Sequence, residues 1–242
     1  MSRRKVTISW SGGKDSAFAL HKILRDGGYE VVNLHTVIDE ETRRVGLHGV
    51  REELIEEQAD NIGLPLTKIY LSKTEDHKAY ETLMTSYYRQ CARQGIEGVV
   101  FGDIFLEDLK KYREELLKPS GLIPLFPLWK SNSVELFSEF IRTGFKTVIC
   151  SANAALFNKF QLGSTMELKT PESFKHGVDV CGENGEYHTL VFDGPIFKKP
   201  LALELGEIVE KKYSYQTKGD GEKIETVETS FLFQDLSLRI TS

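Results

Sequence analysis

One short segment of the sequence combines glycine, lysine and hydroxyl residues in a way that suits phosphate binding. Ser11-Gly12-Gly13-Lys14-Asp15-Ser16 follows an apolar run and precedes a helical pattern. Glycines let the backbone approach an anion, and the N–H groups at a helix start attract phosphate together with a lysine charge. Ser11 and Ser16 add hydroxyl donors, and Ser16 is also a candidate cap for the first helical turn. The segment therefore predicts a phosphate-binding loop at residues 11–16.

Asp15 is the unusual member of this loop, because a carboxylate repels phosphate unless it binds Mg²⁺ or orients the helix start. We predict one of these two roles for Asp15, and charge neutralisation by Lys14. A plain helix-capping turn is the alternative interpretation. The segment is not the Walker loop of kinases and GTPases, since Ile8 and Asp15 stand where that motif has Gly and Ser or Thr. The Gly-x-Gly-x-x-Gly fingerprint of dinucleotide sites is also absent.

Other polar residues follow predicted strands or precede predicted helices, where a nucleotide would lie. Gly102 would admit the nucleotide, and Asp103 would hold Mg²⁺ or a ribose hydroxyl; an ordinary strand-end turn is the alternative. His48 precedes a helix, where its imidazole would contact phosphate, substrate or a base edge, although capping or packing explains it equally well. Arg113 is a weaker candidate for a phosphate contact, because the surrounding charged helix is typical of a solvated face.

Glu183 and Glu186 flank Gly185 in a segment too rich in glycine and charge to be core. They are candidates to bind metal, accept a proton or position a substrate, and a solvated turn is the alternative. Trp129 follows two prolines, so its ring is a candidate wall of a cleft between domains, with a buried core position equally plausible. His21 and His35 are interpreted as structural, because each lies inside a predicted element.

The elements that must position these residues alternate between short β-branched runs and longer helical patterns, which is typical of a parallel sheet. We predict strands at residues 6–9, 29–38, 66–71 and 98–101, and helices at 15–27, 49–62, 75–94 and 107–117. With the strand order 3-2-1-4, residues 11–16 and Gly102-Asp103 would share one crevice. The first half therefore predicts an α/β fold with helices on both faces of the sheet.

Turn formers at residues 120–129 interrupt this alternation, so we predict a domain boundary there. The N-terminal ATP-binding domain would span residues 1–124, and a smaller C-terminal α+β domain, residues 125–242, would bind the substrate. This second part contains a predicted helix at 132–143 and a strand at 147–150. A hairpin at 201–214 and 225–240 would turn at Lys218-Gly219-Asp220-Gly221.

Composition excludes several classes of function. The chain has 242 residues, of which 40% are apolar and 28% charged, as in ordinary globular proteins. A net charge of -5 makes the binding of a long nucleic acid unfavourable. Three separated cysteines indicate neither a disulfide framework nor a Cys-x-x-Cys site. Because neither a signal peptide nor an apolar run long enough to span a membrane is found, we expect a soluble, cytoplasmic protein without a membrane partner.

Ser-Gly-Gly-Lys-Asp-Ser after an N-terminal strand resembles the pyrophosphate loop (PP-loop) of the N-type ATP pyrophosphatases, which cleave ATP to AMP and pyrophosphate. Within that superfamily, residues 6–197 resemble the diphthine ammonia ligase family. The most specific likeness is the segment at 182–195, which is similar to the Gly-Glu-x-Gly-Glu-Phe-Glu-Thr signature of the family. The other matching positions are His48-Gly49, Gln58-Ala59, Gly63-Leu64-Pro65-Leu66, Gly102, Ile104, Pro127-Leu128-Trp129, Gly144-Phe145 and Leu162-Gly163.

The resemblance implies an adenine nucleotide alpha hydrolase-like (Rossmann-like, HUP) fold and a ligase that uses ATP, Mg²⁺ and ammonia. Such an enzyme adenylates a carboxylate and then amidates it, with a modified protein side chain as one candidate acceptor and a homodimer as one possible state. It implies catalytic roles for Lys14, Asp15, Glu183 and Glu186, and Mg²⁺ binding by Asp15 and Asp103. ATP binding would involve residues 11–16, His48, Gly102, Asp103 and Trp129.

The chain departs from the family at two places. Archaeal and eukaryotic members usually read Gly-Ala-Ile-x-Ser-Asp-Tyr-Gln where this chain continues from Gly102 to Leu109 with a different sequence, and an arginine is usual at Ser164. The departures indicate a divergent branch, for example a bacterial one, and leave the acceptor open. Two other functions remain alternatives: a PP-loop tRNA-modifying enzyme and a non-catalytic adenine nucleotide-binding protein.

Overall fold

The computed structural model of the chain describes residues 3–72, 77–218 and 224–239. Its first half contains seven strands and four helices among these residues. The strands are β1 (Arg4–Ser9), β2 (Tyr29–Asp39), β3 (Arg44–Val45), β4 (Val50–Arg51), β5 (Leu66–Leu71), β6 (Gly98–Val100) and β7 (Ile123–Leu125). The helices are α1 (Lys14–Asp26), α2 (Glu52–Ile62), α3 (His77–Arg93) and α4 (Glu107–Leu117).

Five of these strands form a parallel sheet in the order β5-β2-β1-β6-β7. The order 3-2-1-4 that the sequence predicts for its four strands is therefore confirmed. β1 lies at the centre, where Val6, Thr7 and Ile8 are fully buried, as expected for a parallel strand covered on both faces. One apolar cluster contains buried side chains of α1 and α2, and a second contains those of α3 and α4. Helices thus cover both faces, and the α/β prediction is confirmed.

Some local predictions differ from the structure. The helix predicted at 49–62 begins only at Glu52, because residues 44–51 form the small antiparallel β3–β4 hairpin. β7 lies in the predicted break; Pro124 is tolerated there because β7 pairs only with β6, at the edge of the sheet. The predicted boundary between residues 124 and 125 falls inside β7, and the two-domain division remains a prediction. The predicted helix at 75–94 begins outside the described residues, which resume at His77.

The second half contains helix α5 (Ser133–Arg142) and four strands: β8 (Lys146–Asn153), β9 (Tyr187–Asp193), β10 (Leu203–Lys218) and β11 (Ile224–Leu238). They form an antiparallel sheet in the order β10-β11-β8-β9, which confirms the predicted α+β character and the pairing of the two tail strands. Most of the turn predicted at 218–221 lies outside the described residues. No helix of the described part is long and apolar enough to cross a membrane.

The two halves share one apolar core. The ring of Phe18 on α1 lies 5.7 Å from that of Phe140 on α5 and 6.0 Å from that of Phe145. Both contacts are edge-to-face, the arrangement that aromatic rings prefer. The second half of the chain therefore packs directly against the helix that follows the predicted phosphate loop.

Asp235 on β11 joins the second sheet to the β3–β4 hairpin. Its carboxylate accepts hydrogen bonds from Arg51 Nη2 at 2.6 Å and from Arg44 Nη2 at 2.7 Å. The hydrogen bonds from Arg51 first, and those from Arg44 as well, lower the pKa of Asp235 to about 2, although its partial burial acts in the opposite direction. This ion-pair cluster fixes the hairpin whose loop carries His48.

We expect Asp235→Asn to lower the free energy of unfolding by about 1–2 kcal/mol at pH 7, because charge-assisted hydrogen bonds are lost. A carboxyl group whose pKa is depressed by folding stabilises the protein above its unfolded pKa, near 3.8. That stabilisation is lost as the pH falls from there towards 2, so native and variant protein should converge. Urea unfolding between pH 7 and about pH 2 measures both effects.

The control is Glu53→Gln, which removes a longer contact of 3.6 Å to Arg51 Nη1. We expect it to change stability by less than about 0.5 kcal/mol, as is usual for exposed pairs. Equal stability of the native protein and Asp235→Asn at pH 7 would contradict the structural role given to Asp235.

Candidate active site

Two adjoining cavities lie at the carboxyl ends of the central parallel strands. The larger, about 690 Å³, is lined partly by apolar residues of β2 and β5 such as Val37 and Leu71. The smaller, about 250 Å³, lies between the predicted phosphate loop, the segment after β6 and the segment around the start of β9. Ser11, His48 and Arg113 line both cavities. Open α/β sheets bind their ligands at this edge, so the two spaces form one candidate site.

The two glycines of the loop allow close packing that no side chain would permit. Gly12 has φ +78°, and a Cβ built there would lie 2.6 Å from Oε1 of Gln58. A Cβ on Gly13 would lie 2.9 Å from Cε1 of His48. Gly13 is the N-cap of α1, and its N–H donates to Oγ of Ser11 at 3.3 Å. The loop therefore brings the start of α1 to the smaller cavity, as the sequence predicts.

The prediction that Ser16 caps α1 is wrong. Ser16 lies inside the first turn, three residues after the N-cap Gly13, and its hydroxyl donates back to the Gly13 carbonyl at 3.0 Å. Asp15 is also in the first turn, where an acidic residue suits the helix dipole. Its carboxylate accepts bonds from Lys14 instead of capping backbone N–H groups, so of the two roles predicted for Asp15, metal binding stays open as a prediction.

Lys14 is buried with its charge satisfied. Its Nζ donates to both carboxylate oxygens of Asp15 at 2.8 Å and to the carbonyl of Cys181, and it lies 5.4 Å from the centre of the Tyr187 ring. Burial alone would lower the pKa of Lys14, but Asp15 and Tyr187 outweigh it and raise that pKa above its usual value. Lys14 therefore remains a cation at the base of the smaller cavity.

Three carboxyl groups of the described residues line the smaller cavity together with this cation: Asp15, Asp103 and Glu183. Asp103 lies 3.5 Å from Nε of Arg113, and Glu183 accepts a 2.7 Å hydrogen bond from the backbone N–H of Ile104. Burial raises the pKa of all three; for Glu183 the value is about 7, with the repulsion of Asp15 and Asp103 adding to the effect of burial. Glu183 can therefore gain or lose a proton near neutral pH.

Two histidines separate the cavities. The rings of His48 and His188 lie 4.5 Å apart, and both residues line both spaces. Nδ1 of His48 lies 3.3 Å from the Thr189 carbonyl. Burial lowers the pKa of His48 to about 4 and that of His188 well below its usual value, so both rings are neutral at neutral pH. The pair supplies hydrogen-bonding groups without adding charge.

The structure brings most of the predicted site residues together, but not all of them. Those that line the smaller cavity are Ser11, Lys14, Asp15, Ser16, His48, Gly102, Asp103, Arg113 and Glu183. Trp129 lines neither cavity; its ring lies 5.9 Å from that of Phe126 and 5.0 Å from Nζ of Lys110. Glu186 also lines neither, because its Oε1 accepts bonds from Asp179 N at 2.8 Å and Asn184 Nδ2 at 3.0 Å.

Gly102 lines the smaller cavity, and its contacts give a second reason for a glycine besides the predicted one, which stays a prediction. A Cβ at this position would lie 2.8 Å and 2.9 Å from the backbone carbon and oxygen of Asp15, and 3.0 Å from the nitrogen of Ser16. Gly102 thus makes room for the start of α1 against the end of β6.

Sequence reasoning missed the residues that fasten the second half to the phosphate loop. Thr189 accepts a 3.0 Å hydrogen bond from the Lys14 N–H, and the Val191 N–H donates to the Gly12 carbonyl at 2.9 Å. Gln58 is completely buried and donates to the carbonyls of Gly12 and Val191 at 3.0 and 2.6 Å. All three lie in segments that carry the family resemblance, which was the available signal. The site is therefore built from both halves of the chain.

Comparisons with known proteins agree with this two-part architecture. Residues 4–124 match the family described as Diphthamide synthase N-terminal domain, and residues 132–227 match Diphthamide synthase C-terminal domain. The chain is 30% identical over 229 residues to diphthine–ammonia ligase of Homo sapiens and 31% identical over 228 residues to that of Mus musculus, with 85% of each chain covered. It is 29% identical over 226 residues to diphthine–ammonia ligase of Schizosaccharomyces pombe, covering 85% of this chain and 37% of that protein.

Proposed function

The chain belongs to the diphthamide synthase family, and from that premise we propose that it uses ATP to adenylate a substrate carboxylate and ammonia to amidate it. The observation that carries the proposal is the contact between the start of α1 and a cavity lined by one lysine and three carboxyl groups. A second cavity of about 690 Å³ adjoins it, within the volume range of small-molecule sites.

The two cavities suit different parts of ATP. The larger has apolar residues such as Val37, Leu71 and Met84 in its lining, which suits a nucleoside. The smaller has the α1 start and Lys14, which suits phosphates. Ser11 and His48 line both and mark the junction. ATP would therefore lie with adenosine over the ends of β2 and β5 and with its phosphates over residues 11–16.

Mg²⁺ fits the smaller cavity only together with the phosphates. Among the residues that the structure describes, no group of three or more His, Cys, Asp or Glu side chains could hold a metal ion alone. Asp15 and Asp103 would supply two carboxylates, and Mg²⁺ typically takes one or two carboxylates plus phosphate oxygens. Bound there, the ion would neutralise phosphate charge. Oδ2 of Asp103 is buried without a hydrogen bond in the described structure, but Nε of Arg113 lies 3.5 Å from it, so Mg²⁺ would share this oxygen with the guanidinium.

The side chains then have distinct tasks in two steps. In the first, a carboxylate oxygen of the acceptor attacks the α-phosphorus and the bond to the β-phosphate breaks; Lys14 and the α1 N–H groups stabilise the departing pyrophosphate. In the second, ammonia attacks the acyl carbon and the bond to AMP breaks. Glu183 would take the proton that the new amide nitrogen releases, because its pKa of about 7 matches that task.

The acceptor would reach the reacting phosphate from the second half of the chain. Gly182, Gly185 and Tyr187 of the second half line the smaller cavity together with the phosphate loop. Diphthine is the acceptor supported by the names of the mammalian relatives. The different sequence after Gly102 makes another carboxylate-bearing acceptor, such as a different modified protein side chain, the principal alternative. We expect the reaction to take place in the cytoplasm.

An assay of AMP and pyrophosphate release tests the function. We expect both products to form from ATP with Mg²⁺, ammonium and a protein that carries diphthine, and to fall to background without an acceptor. ATP binding without any turnover across a panel of carboxylic acids would favour a binding protein. Turnover with tRNA that does not need ammonium would favour a tRNA-modifying enzyme. Either result would overturn the proposal.

Glu183→Gln separates the two steps in the same assay. Glutamine retains an oxygen that can accept from Ile104, but it cannot take a proton. We expect amide formation to slow by about 10²-fold, the usual contribution of a general base, while the binding of ATP changes little. Unchanged amide formation would remove Glu183 from the mechanism.

A further inference from the structure

The larger cavity is lined by a histidine that the mechanism does not use. His35 on β2 is buried, with 1% of its surface exposed, and its Nε2 has no hydrogen-bond partner among the described residues. Its ring packs against Tyr87 and Tyr88, with centroids 4.9 and 5.7 Å away. A buried imidazole nitrogen without a partner is unfavourable, so a ligand group in the cavity would satisfy it.

The other ring nitrogen of His35 ends a chain of buried hydrogen bonds. Nδ1 lies 2.9 Å from Oγ1 of Thr7, which lies 3.4 Å from the hydroxyl of Tyr87. The Tyr87 hydroxyl accepts a 3.0 Å bond from Nδ2 of Asn33, so its own hydrogen is free to point towards Thr7. This series of hydrogen bonds extends from the amino-terminal part of the sheet to the larger cavity.

The hydrogen bonds of Thr7 determine the tautomer of His35. The Thr7 hydroxyl has one hydrogen and three neighbours: Nδ1 of His35 at 2.9 Å, the Asn33 carbonyl at 3.3 Å and the Tyr87 hydroxyl at 3.4 Å. When Thr7 gives this hydrogen to its nearest neighbour, Nδ1 is an acceptor; when Thr7 gives it to the Asn33 carbonyl, Nδ1 carries a hydrogen and donates to Thr7. Burial first, and then the charge of Arg113, lowers the pKa of His35 to about 3, so the ring carries a single proton. In the first arrangement that proton lies on Nε2, which is then a donor.

We propose that His35 reads the nucleobase, its Nε2–H donating to a ring nitrogen of the purine, with Thr7 and Tyr87 as positioning residues. The proposal rests on the ATP site proposed above. His35 lines the larger cavity and not the smaller, whereas Lys14 lines the smaller and not the larger, so His35 is distant from the phosphates. Val37 and Met84 line the same space as His35 and suit the faces of a flat, largely apolar base.

Deaza analogues of ATP test the proposal, because each replaces one ring nitrogen, at position 1, 3 or 7, by a C–H group that cannot accept. We expect the native protein to bind one of the three about 10-fold to 100-fold more weakly than ATP in calorimetric titrations. His35→Leu should bind ATP more weakly and treat ATP and that analogue alike. Thr7→Val, which never touches the ligand, should reduce the discrimination and change the ¹⁵N chemical shifts that report the His35 tautomer.

His21→Leu is the matched control, since His21 packs on Phe18 and Phe145, lines neither cavity and should leave the discrimination unchanged. Melting temperatures show which variants are folded. If the native protein binds ATP and all three analogues within twofold of each other, the base-reading role is wrong, whatever the enzyme catalyses. Discrimination that survives in folded His35→Leu would also overturn it. Discrimination without any ligase turnover would support His35 while overturning the proposed function, and a protein that binds no ATP would overturn both.

Discussion

We expect Lys14→Met to reduce ATP-dependent pyrophosphate release by about 10²- to 10³-fold, the usual effect of removing one preorganised group that stabilises transition-state charge. Among the residues that the structure describes, Lys14 is the one lysine that lines the smaller cavity, and Asp15 and Tyr187 keep it charged there. The pyrophosphate gains charge as its bond to the α-phosphorus breaks. An interaction that strengthens at that moment acts on kcat more than on KM. Initial rates at saturating and limiting ATP separate the two constants.

Methionine is chosen because Lys14 is buried, and alanine would add a cavity to the loss of charge. The Asp15 carboxylate, which would lose its partner, is about 34% exposed and can be hydrated, so we expect only a small change in melting temperature. Lys22→Met is the control on the same helix: Lys22 pairs with Glu139 at 2.6 Å and lines neither cavity. We expect that variant to keep its activity within about twofold. Normal turnover in folded Lys14→Met would refute the assignment of the phosphate loop.

The parts of the molecule that could be predicted are those specified by local sequence. The run at 6–9, the Gly12-Gly13 pair and the spacing of Ala17, Phe18 and Leu20 each act over a few residues, and they produce β1, the loop and α1 as expected. The crevice at the carboxyl ends of the strands then follows from the topology of parallel sheets. For the same reason, Lys14 and Asp103 line one cavity although they are 89 positions apart in the sequence.

The parts that could not be predicted depend on contacts across the chain. Thr189 meets the Lys14 N–H across 175 positions, and Gln58 meets Val191 across 133. No periodicity specifies such pairs. Sequence proximity to a site residue can also mislead. Glu186 lies in the same glycine-rich segment as Glu183, yet its carboxylate accepts from the backbone N–H of Asp179 and lines neither cavity. His35 is interpreted as structural from the sequence because it lies inside a predicted strand, and that position gives no information about an unpartnered nitrogen.

The second half of the chain holds the phosphate loop in position through hydrogen bonds. β9 lies along the loop, and its Thr189 binds the first N–H of α1 while its Val191 binds the Gly12 carbonyl. The Lys14 ammonium also binds the carbonyl of Cys181, just before the glycine-rich segment that carries Glu183. A shift of the second half would therefore move the phosphate-binding groups and the proton acceptor together. In the proposed reaction, the activation of the acceptor and its amidation would in this way be coupled by geometry.

We expect Gly102→Ala to lower kcat/KM by about 10²-fold. The added Cβ would lie within 3.0 Å of three backbone atoms of Asp15 and Ser16, and backbone cannot rotate away as a side chain can. Either the start of α1 or the end of β6 must move, and a displacement of catalytic groups by a fraction of an ångström to one ångström has this scale of cost. The strain should also lower stability by about 1–3 kcal/mol. Steady-state rates and thermal unfolding measure the two effects.

Gly46→Ala provides the matched comparison, because Gly46 lines the larger cavity but a Cβ there meets no atom within 4 Å. We expect near-native rates and stability for that variant. If Gly102→Ala were as active as Gly46→Ala, the phosphate loop would remain active after the backbone shift that the added Cβ requires. The close approach of β6 to α1 would then not determine the geometry of the site. A loss in Gly102→Ala alone would show that this glycine serves the junction of strand and helix, as its contacts indicate, and that Asp103 depends on it for its position beside the loop.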